Sequence, residues 1–409
     1  MTKASVYRVK EGLSSTTDQE YQFPVNYSYD YLNGCTSYLM LPSLNLNDHL
    51  QSKRFLRMGT LDNRDIINRS DHAIDIHPIR AGLPWTSGIQ TCRQNKYWRL
   101  TIDTTRFFLE HFVADESAQQ IFKSGLSISQ IARKELLENL DEGWVKYPVY
   151  LFPESDRERT RLLAAINVFI FVFDEFWEMH DIDSFTSVHA EFVSRMTSGI
   201  TSSDEPKSTL QSLIDQAILD IRKTDFVSGN TAGQEMIDMM VRFFSRPPPP
   251  TEYKDMEEFL LYRHEDAAVP YVLSCTKFAL NSSVDIDSPR LARYIRLLKD
   301  QVSVANDLGS WEKEKQAYLL GKTLYLINAV DVIKDLFKLQ TDQAAVAMTQ
   351  AFQLQIETEI DIELERLIAE DALTSEEWRF IDATLHVMSG SVFAAIIMSR
   401  YGGERCRLT

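Results

Sequence analysis

The chain has 409 residues, of which 44% are hydrophobic and 11% aromatic, so it can bury a large core and lacks the composition typical of disorder. A formal net charge of −16, with no Lys/Arg-rich tract, argues against non-specific binding to nucleic acid or to an anionic membrane surface. If the substrate is an anion, bound metal ions or a few cationic side chains in the site must overcome its repulsion by the negatively charged protein.

The cysteines and the apolar segments bear on the compartment. Cys35, Cys92, Cys275 and Cys406 are scattered and form no CxxC pair, which argues against a zinc site or a disulfide framework. The first residues lack the apolar core of a signal peptide, and the longest apolar run, 162–173, is too short to span a bilayer. We therefore expect a soluble, cytoplasmic protein with no membrane span.

Apolar residues recur at helical spacing over most of the chain after the first 80 residues. Residues 1–80 are rich in Ser, Thr, Asn and Asp, and they predict an irregular N-terminal segment that wraps the core. Residues 81–409 predict a single α-helical domain. Apolar residues recur at helical spacing in the stretches 97–112, 128–140, 158–178, 184–197, 209–226, 232–244, 256–263, 315–337, 343–370 and 378–401.

Prolines mark the breaks between these stretches. Four consecutive prolines, 247–250, predict a surface loop, because proline lacks the N–H donor and clashes with the preceding turn. Asp287-Ser288-Pro289 predicts the start of a further helix, with a capping residue followed by proline in the first turn. The sequence shows no strand-and-turn pattern, internal repeat or glycine-rich phosphate loop, and it predicts an all-α fold of about a dozen helices.

Three oxygen-bearing side chains recur at four-residue intervals near the end of that further helix. Asn306, Ser310 and Glu314 share one helix face, on which Cβ atoms four positions apart lie about 5–6 Å from each other. Their oxygens are ligands that Mg²⁺ accepts while it keeps several waters, and such sites usually complete their shell with a substrate phosphate. This row therefore predicts a metal site for a diphosphate or nucleotide substrate.

A cluster of acids follows the apolar run 162–173. Asp174, Glu178 and Asp181 stand at i, i+4 and i+7 and share one helix face, and Glu175 flanks them. Carboxylates at the mouth of an apolar helix could hold metal ions above an apolar cavity. A helix that leaves the core and ends in solvated acids explains the same residues equally well, so the cluster alone does not decide between the two interpretations.

In chain order, these motifs resemble those of the class I terpene synthases (terpene cyclases), which carry an aspartate-rich DDxxD/E motif and a later NDxxSxxxE triad. The stretch 174–178 is similar to the first, with Glu175 in place of the second Asp. The stretch 306–314 matches the second in full, and Lys313 supplies the basic residue that the family favours before the last Glu. The resemblance covers residues 90–401 and indicates the fungal or bacterial type with one α domain.

Two arginines extend the resemblance. The family has a diphosphate-sensing Arg followed three residues later by an Asp, and Arg263 and Asp266 have this relation upstream of the triad. It also has a late Arg-Tyr pair that contacts the diphosphate, and Arg400-Tyr401 in the predicted last helix is similar to it. Arg suits planar, bidentate phosphate contact better than Lys.

The resemblance implies a class I α-helical bundle around a central apolar cavity. It implies metal-dependent ionisation and cyclisation of a linear prenyl diphosphate, expected to be farnesyl diphosphate, to a cyclic sesquiterpene hydrocarbon or alcohol with release of diphosphate. The implied cofactor is Mg²⁺, as three ions, with Mn²⁺ as the alternative metal. The implied assembly is a monomer or a homodimer.

The same resemblance distributes roles over the residues. The implied metal ligands are Asp174, Glu178, Asn306, Ser310 and Glu314. The implied diphosphate-binding residues are Arg263, Lys313, Arg400 and Tyr401. The implied catalytic residues are Asp174, Arg263, Asn306, Ser310 and Glu314.

Helical facing and proximity to the motifs suggest residues of the cavity. Phe171 lies one turn before Asp174, and aromatic faces attract cations, so it is the first candidate for a wall residue. The further candidates beside the motifs are Asp266, Ala267, Val302 and Ser303.

Other interpretations stay open at this point. A diterpene synthase that uses geranylgeranyl diphosphate fits the same motifs, because cavity volume cannot be read from sequence. A prenyltransferase would carry a second aspartate-rich motif in place of 306–314. An HD-type metal phosphohydrolase built on His180-Asp181 would need further ligands, and His72 and His77 have no apolar helix to present them. A non-catalytic helical scaffold leaves the spacing of the motifs to coincidence.

Overall fold

A computed structural model of the chain describes residues 71–76, 78, 83, 85–89, 91–120, 122–123, 126–140, 142–177, 193–197, 208–398 and 401. Several of the residues named above lie outside these described residues, namely His77, Glu178, His180, Asp181, Arg400 and Cys406, as do residues 1–70 of the predicted N-terminal segment. The division into a wrapping segment, 1–80, and one helical domain, 81–409, stays a prediction.

The first part of the described chain combines helices with two short antiparallel strand pairs. Strand β1 (Ala73–Ile76) pairs with β2 (Cys92–Asn95), and β3 (Phe122–Lys123) pairs with β4 (Leu126–Ser127). The helices of this part are α1 (Trp98–Ala114), α2 (Glu116–Gln120), α3 (Ile128–Lys134) with a π-helical turn after it (Glu135–Asn139), α4 (Lys146–Leu151) and α5 (Arg157–Trp177).

The second part is helical throughout. Its helices are α6 (Thr209–Ser228), α7 (Ala232–Phe244), α8 (Met256–Asp266), α9 (Val269–Ala279), α10 (Ala292–Leu319), α11 (Ala329–Leu336), α12 (Asp342–Glu370) and α13 (Ser375–Ile397). The all-α class is confirmed, and α5, α7 and α12 agree with the predicted ranges to within one residue at each end.

The core is built on two helices that are apolar on most sides. On α5, Leu162, Phe169 and Val172 are fully buried, and on α13 Leu385 and Val387 are. Helix α13 is long and apolar enough to cross a membrane, but 89% of its apolar stretch is buried inside the protein. Helix α10 packs between α12 and α13 and also contacts α8, so the helix that carries the oxygen row is held from several sides.

A buried carboxylate ties the segment before β2 to this bundle. Glu357 of α12 is 1% exposed and accepts hydrogen bonds from Ser87 Oγ at 2.9 Å and from the backbone N–H of Gly88 at 2.6 Å. The side-chain amides of Gln301 and Gln353 each donate to the same carboxylate at 3.0 Å. Burial raises the pKa of Glu357, and these donors oppose the rise. One acid therefore joins three separate stretches of the chain.

The predicted start of the helix that carries the row is wrong. Residues 285–291 form turns instead, in which the N–H of Ser288 donates to the carbonyl of Asp285 at 3.2 Å and the N–H of Leu291 donates to that of Ser288 at 2.9 Å. Helix α10 begins only at Ala292. Asp and Ser can form such local turns as readily as they cap a helix, so the cap pattern alone does not decide between them.

The single helix predicted over 315–337 is also wrong, because the chain turns between α10 and α11. Gly321 has a left-handed backbone with φ of 65°, its N–H donates to the carbonyl of Tyr318, and the N–H of Lys322 donates to that of Ala317, both at 2.9 Å. This pair of bonds is a Schellman motif, which ends a helix at a glycine. Helix α11 then starts afresh, with Asn328 as its capping residue.

The strands and two further helices also differ from the predictions. The strands escape the sequence pattern because each has only two to four residues, too few for a visible alternation. Helix α9 was not predicted, and Pro270 lies in its first turn, where a missing N–H costs nothing. Helix α13 ends at Ile397, so Tyr401 lies in a turn beyond the last helix rather than in it.

Helix α10 approaches α13 closely at Gly309, which lies between Asn306 and Ser310. A Cβ atom at position 309 would fall well inside van der Waals distance of the Cβ atom of Ala395 on α13. Only the missing side chain therefore allows the two helices to approach this closely beside the oxygen row.

We expect Gly309→Ala to lower the free energy of unfolding by about 1–3 kcal/mol, because the added methyl group overpacks this contact. The double variant Gly309→Ala/Ala395→Gly removes the opposing methyl group and should recover most of the loss. Urea unfolding followed by circular dichroism measures both effects. Equal unfolding free energies for the wild type and Gly309→Ala would contradict the close approach.

Candidate active site

Arg263, near the end of α8, is the most highly connected side chain of the site. It is buried, and its Nε donates to Asp307 Oδ1 at 2.8 Å, while Nη2 lies 2.6 Å from the same oxygen. Its Nη1 donates to Asp266, and Nη2 also donates to Asn306 Oδ1 at 3.1 Å. Burial lowers the pKa of Arg263, but the facing carboxylates raise it by more, so the pKa lies above its ordinary value. The guanidinium stays charged and held on several sides.

Asp307 anchors both this arginine and the next helix. The residue is fully buried, and its second oxygen, Oδ2, accepts the backbone N–H of Ala329 at 2.7 Å, in the first turn of α11. Burial raises the pKa of Asp307 to about 7, while Arg263 lowers it and Glu314 adds to the rise. Helices α8, α10 and α11 therefore meet at one carboxylate. The partners of Asp307 lie on other elements, so its role could not be read from the sequence.

The predicted oxygen row has protein partners at each of its positions. Asn306 Oδ1 accepts from Arg263, and the Ser310 hydroxyl is buried and lies 3.5 Å from the carbonyl of Asp307. Glu314 Oε2 accepts the side-chain amide of Asn328 at 2.9 Å, and the same amide donates to the Asp307 carbonyl at 2.9 Å. The row thus lies on one stretch of α10, and its last member is oriented by the residue that caps α11.

A second arginine, which the sequence analysis did not single out, joins Arg263 to the acidic motif. Arg246 follows α7, is buried, and donates through Nε to Asp266 Oδ1 at 3.1 Å and through Nη2 to Asp174 Oδ1 at 3.2 Å. The other oxygen of Asp266 binds Arg263. In the sequence, only the position of Arg246 directly before Pro247 sets this arginine apart. A proline run by itself indicates a loop rather than a functional site.

The acidic motif on α5 therefore faces the row on α10. Asp174 contacts Arg246, and Glu175 Oε1 lies 3.7 Å from Lys313 Nζ, with both of these side chains about one third exposed. Glu178 lies outside the described residues. The structure thus brings Asp174, Glu175, Arg263, Lys313 and the row into one region, formed by the ends of α5 and α8 and the second half of α10.

The predicted wall residue Phe171 belongs to an aromatic cluster. Its ring stacks on Trp144 at 5.3 Å between centroids and lies 5.0 Å from the ring of Tyr147. The hydroxyl of Tyr147 is hydrogen-bonded to that of Tyr401 at 2.7 Å, so Tyr401 is held beside this cluster although it lies beyond α13. Asn167, one turn before Phe171, donates to the carbonyl of Trp144 at 3.1 Å and holds the cluster against α5.

The other predicted cavity residues divide into two groups. Asp266 lies between two guanidinium groups and belongs to the ionic network rather than to an apolar wall. Ala267 ends α8, where Ala268 has a left-handed backbone with φ of 54°, so the chain turns sharply there. Val302 and Ser303 are buried on α10, and the hydroxyl of Ser303 has no hydrogen-bond partner among the described residues.

The donor set of the row fits a small, hard cation. A positively charged atom, Nη2 of Arg263, lies 3.1 Å from Asn306 Oδ1 and 4.0 Å from Glu314 Oε1, so oxygens of the first and last members already surround one cationic centre. Within the described residues no group of three or more His, Cys, Asp or Glu side chains could hold a metal, and the row contributes an amide and a hydroxyl instead. Such oxygen donors favour Mg²⁺ or Mn²⁺.

Comparisons with known proteins agree with this geometry. The family model described as "Terpene synthase family 2, C-terminal metal binding" matches residues 165–355. "Terpene cyclase 6" of Gibberella fujikuroi is 24% identical over 339 residues, which are 81% of this chain and 86% of that protein. A bifunctional sesterterpene synthase of Aspergillus aculeatus is 23% identical over 61% of this chain, and the match covers only 35% of that protein.

Among solved structures, aristolochene synthase from Penicillium roqueforti superposes with a TM-score of 0.55 over 72% of this chain and 93% of that one, at 13% identity. This likeness supports the class I helical bundle alone. The family model, whose description names metal binding, implies that the protein depends on a divalent metal. The family match over residues 165–355 and the terpene cyclase relatives confirm the resemblance to the terpene synthases and support a lyase of the terpene cyclase type, and the fold is the class I helical bundle.

Proposed function

We propose that the protein ionises farnesyl diphosphate and cyclises the resulting carbocation to a sesquiterpene, a hydrocarbon or an alcohol, with release of diphosphate. One observation carries the proposal. The acidic motif, the oxygen row and the candidate diphosphate-binding arginine are joined in a single ionic network through Asp174, Arg246, Asp266, Arg263 and Asn306. This network lies at the end of the apolar helix α5. The diphosphate could therefore bind at the charged residues while the prenyl chain contacts the adjoining apolar ones.

The leaving group sets the electrostatic demand on the site. A diphosphate carries about three negative charges, and its departure is favoured by cationic groups that are already oriented before the reaction. Arg263 meets this requirement, because Asp307, Asp266 and Asn306 fix its guanidinium before any substrate arrives. We propose that Arg263, together with Lys313, Arg400 and Tyr401, binds the diphosphate.

The residues that would hold the metal ions are Asp174, Glu178, Asn306, Ser310 and Glu314. Bound Mg²⁺ ions supply Lewis-acid neutralisation of the leaving group. The chain itself orients these ligands, because Arg246 contacts Asp174 and Asn328 contacts Glu314. Partners that orient metal ligands in this way commonly matter almost as much as the ligands themselves.

The carbocation requires walls that exclude water and do not react with it. We propose that the cluster of Phe171, Trp144 and Tyr147 supplies part of this wall, because aromatic faces stabilise a nearby cation. Ala267, Val302 and Ser303 complete our candidates. The cluster adjoins Tyr401, a candidate diphosphate-binding residue, so the wall and the leaving group would be close to each other.

A longer substrate is the second candidate. Relatives of this chain include a bifunctional sesterterpene synthase and a phomopsene synthase, and the chain spans about a third of the length of each. Geranylgeranyl diphosphate, or a still longer prenyl chain, would require a deeper apolar cavity with the same ionic network at its mouth. The two candidates therefore differ in chain length and share the chemistry of ionisation.

Incubation with prenyl diphosphates decides between these candidates. We expect the protein with Mg²⁺ to convert the C15 substrate to volatile cyclic products, detected by gas chromatography and mass spectrometry, and to release diphosphate at the same rate. Parallel reactions with C10, C20 and C25 substrates test chain length, and EDTA should abolish turnover. If no substrate gives a product or diphosphate, the proposed function is wrong.

Substitutions in the row test its role in metal binding. We expect Asn306→Ala and Ser310→Ala to lower kcat by at least about a hundredfold, because each removes an oxygen ligand, while helicity stays unchanged. Gln316→Ala, an exposed change on the same helix, is the matched control and should retain activity. Steady-state kinetics over a range of Mg²⁺ concentrations, with far-UV circular dichroism of each variant, provide the measurement. Full activity in either row variant would contradict the assignment.

A further inference from the structure

Arg246 occupies a position between the two halves of the site. Its Nε binds one oxygen of Asp266, and the other oxygen of that carboxylate binds Arg263. Its Nη2 binds Asp174 on α5. A displacement of Arg263 toward a diphosphate would therefore act on Asp266, and through Asp266 and Arg246 on Asp174.

The surroundings of Arg246 hold its guanidinium in place. Its Nη1 donates to the carbonyl of Phe243 at 3.2 Å, and its Cζ lies 4.1 Å from the centre of the Phe243 ring, within the range of a cation–π contact. Pro247 restricts the backbone of Arg246, because a residue before proline is confined to extended conformations. Tyr262 on α8 donates to the carbonyl of Pro247 at 3.1 Å and so fixes the start of the proline run beside Arg263.

We propose that Arg246 is a positioning residue that couples diphosphate binding at Arg263 to the placement of Asp174 in the acidic motif. The inference rests on the proposed function and goes beyond it, since Arg246 belongs to neither metal motif. The planar guanidinium suits this task because its rigid fork of donors holds two carboxylates in fixed directions, whereas an ammonium group on a flexible stem sets no such directions.

A simple counter-ion role predicts the opposite response to mutation. If Arg246 only neutralised Asp174, its removal would leave that carboxylate more available, and Mg²⁺ would bind more tightly. If Arg246 holds Asp174 in position, its removal weakens the Mg²⁺-dependent binding of diphosphate. The sign of the change in Mg²⁺ requirement therefore separates positioning from charge neutralisation.

Binding of inorganic diphosphate to the full chain, measured by isothermal titration calorimetry over a range of Mg²⁺ concentrations, tests the proposal. We expect Arg246→Gln to raise the Mg²⁺ concentration for half-maximal binding by about tenfold or more, the usual loss when a group that orients a metal ligand is removed. Arg246→Lys keeps the charge but loses the rigid, planar fork of donors, so it should retain most of the thermal stability and recover only part of the Mg²⁺ response.

Arg242→Gln is the matched control. Arg242 lies one turn earlier on α7 and pairs with Glu265 at 2.6 Å, but it is largely exposed. We expect its loss to leave the Mg²⁺ requirement unchanged. Thermal unfolding without ligand identifies any variant that fails to fold. If Arg246→Gln does not fold, the Mg²⁺ requirement of Arg246→Lys is compared with that of the wild type instead.

Three results would overturn the inference. An unchanged or lowered Mg²⁺ requirement in Arg246→Lys and in any folded Arg246→Gln would show that Arg246 does not position Asp174. A wild-type protein that binds no diphosphate at any Mg²⁺ concentration would remove the proposed function as well. Diphosphate binding by the wild type that is lost in Arg263→Gln but unaltered in both Arg246 variants would leave the proposed function intact and refute this inference alone.

Discussion

The site depends on a chain of alternating charges that runs from Asp174 through Arg246, Asp266 and Arg263 to Asp307. A buried charge is costly unless it is paired and hydrogen-bonded, so no member can be buried without its neighbours. Helices α5, α8 and α10 and the end of α7 therefore have to meet at this place. Along this chain each guanidinium group lies between two carboxylates, so both arginines are held from two sides.

Helical periodicity was sufficient to predict the class of the fold and several of its elements. The apolar centre of α5 and the long pattern of α12 are local properties, and their ranges are confirmed. The shared helix face of Asn306, Ser310 and Glu314 could also be predicted, because residues four positions apart lie on one face of any α-helix. The roles assigned to these residues stay predictions.

The remainder of the site was hidden from the sequence because it arises where separate elements meet. Asp307 and Asn328 gain their partners only when α10, α11 and α8 pack together. Arg246 precedes a proline run, and nothing in that run indicates that the arginine is buried between two carboxylates. The end of α10 was missed because Gly321 was not recognised as the left-handed residue of a helix terminus.

The contact between Glu357 and the segment before β2 has a consequence for the order of folding. Its hydrogen-bonded partners Ser87 and Gly88 lie about 270 residues away along the chain. Closing so large a loop costs more conformational entropy than forming local helical turns, so such contacts tend to form late. The acceptor, moreover, is positioned by Gln301 of α10 and Gln353 of α12. We therefore expect α10 and α12 to pack against each other first, and the Ser87–Gly88 stretch to bind Glu357 in a later step of folding.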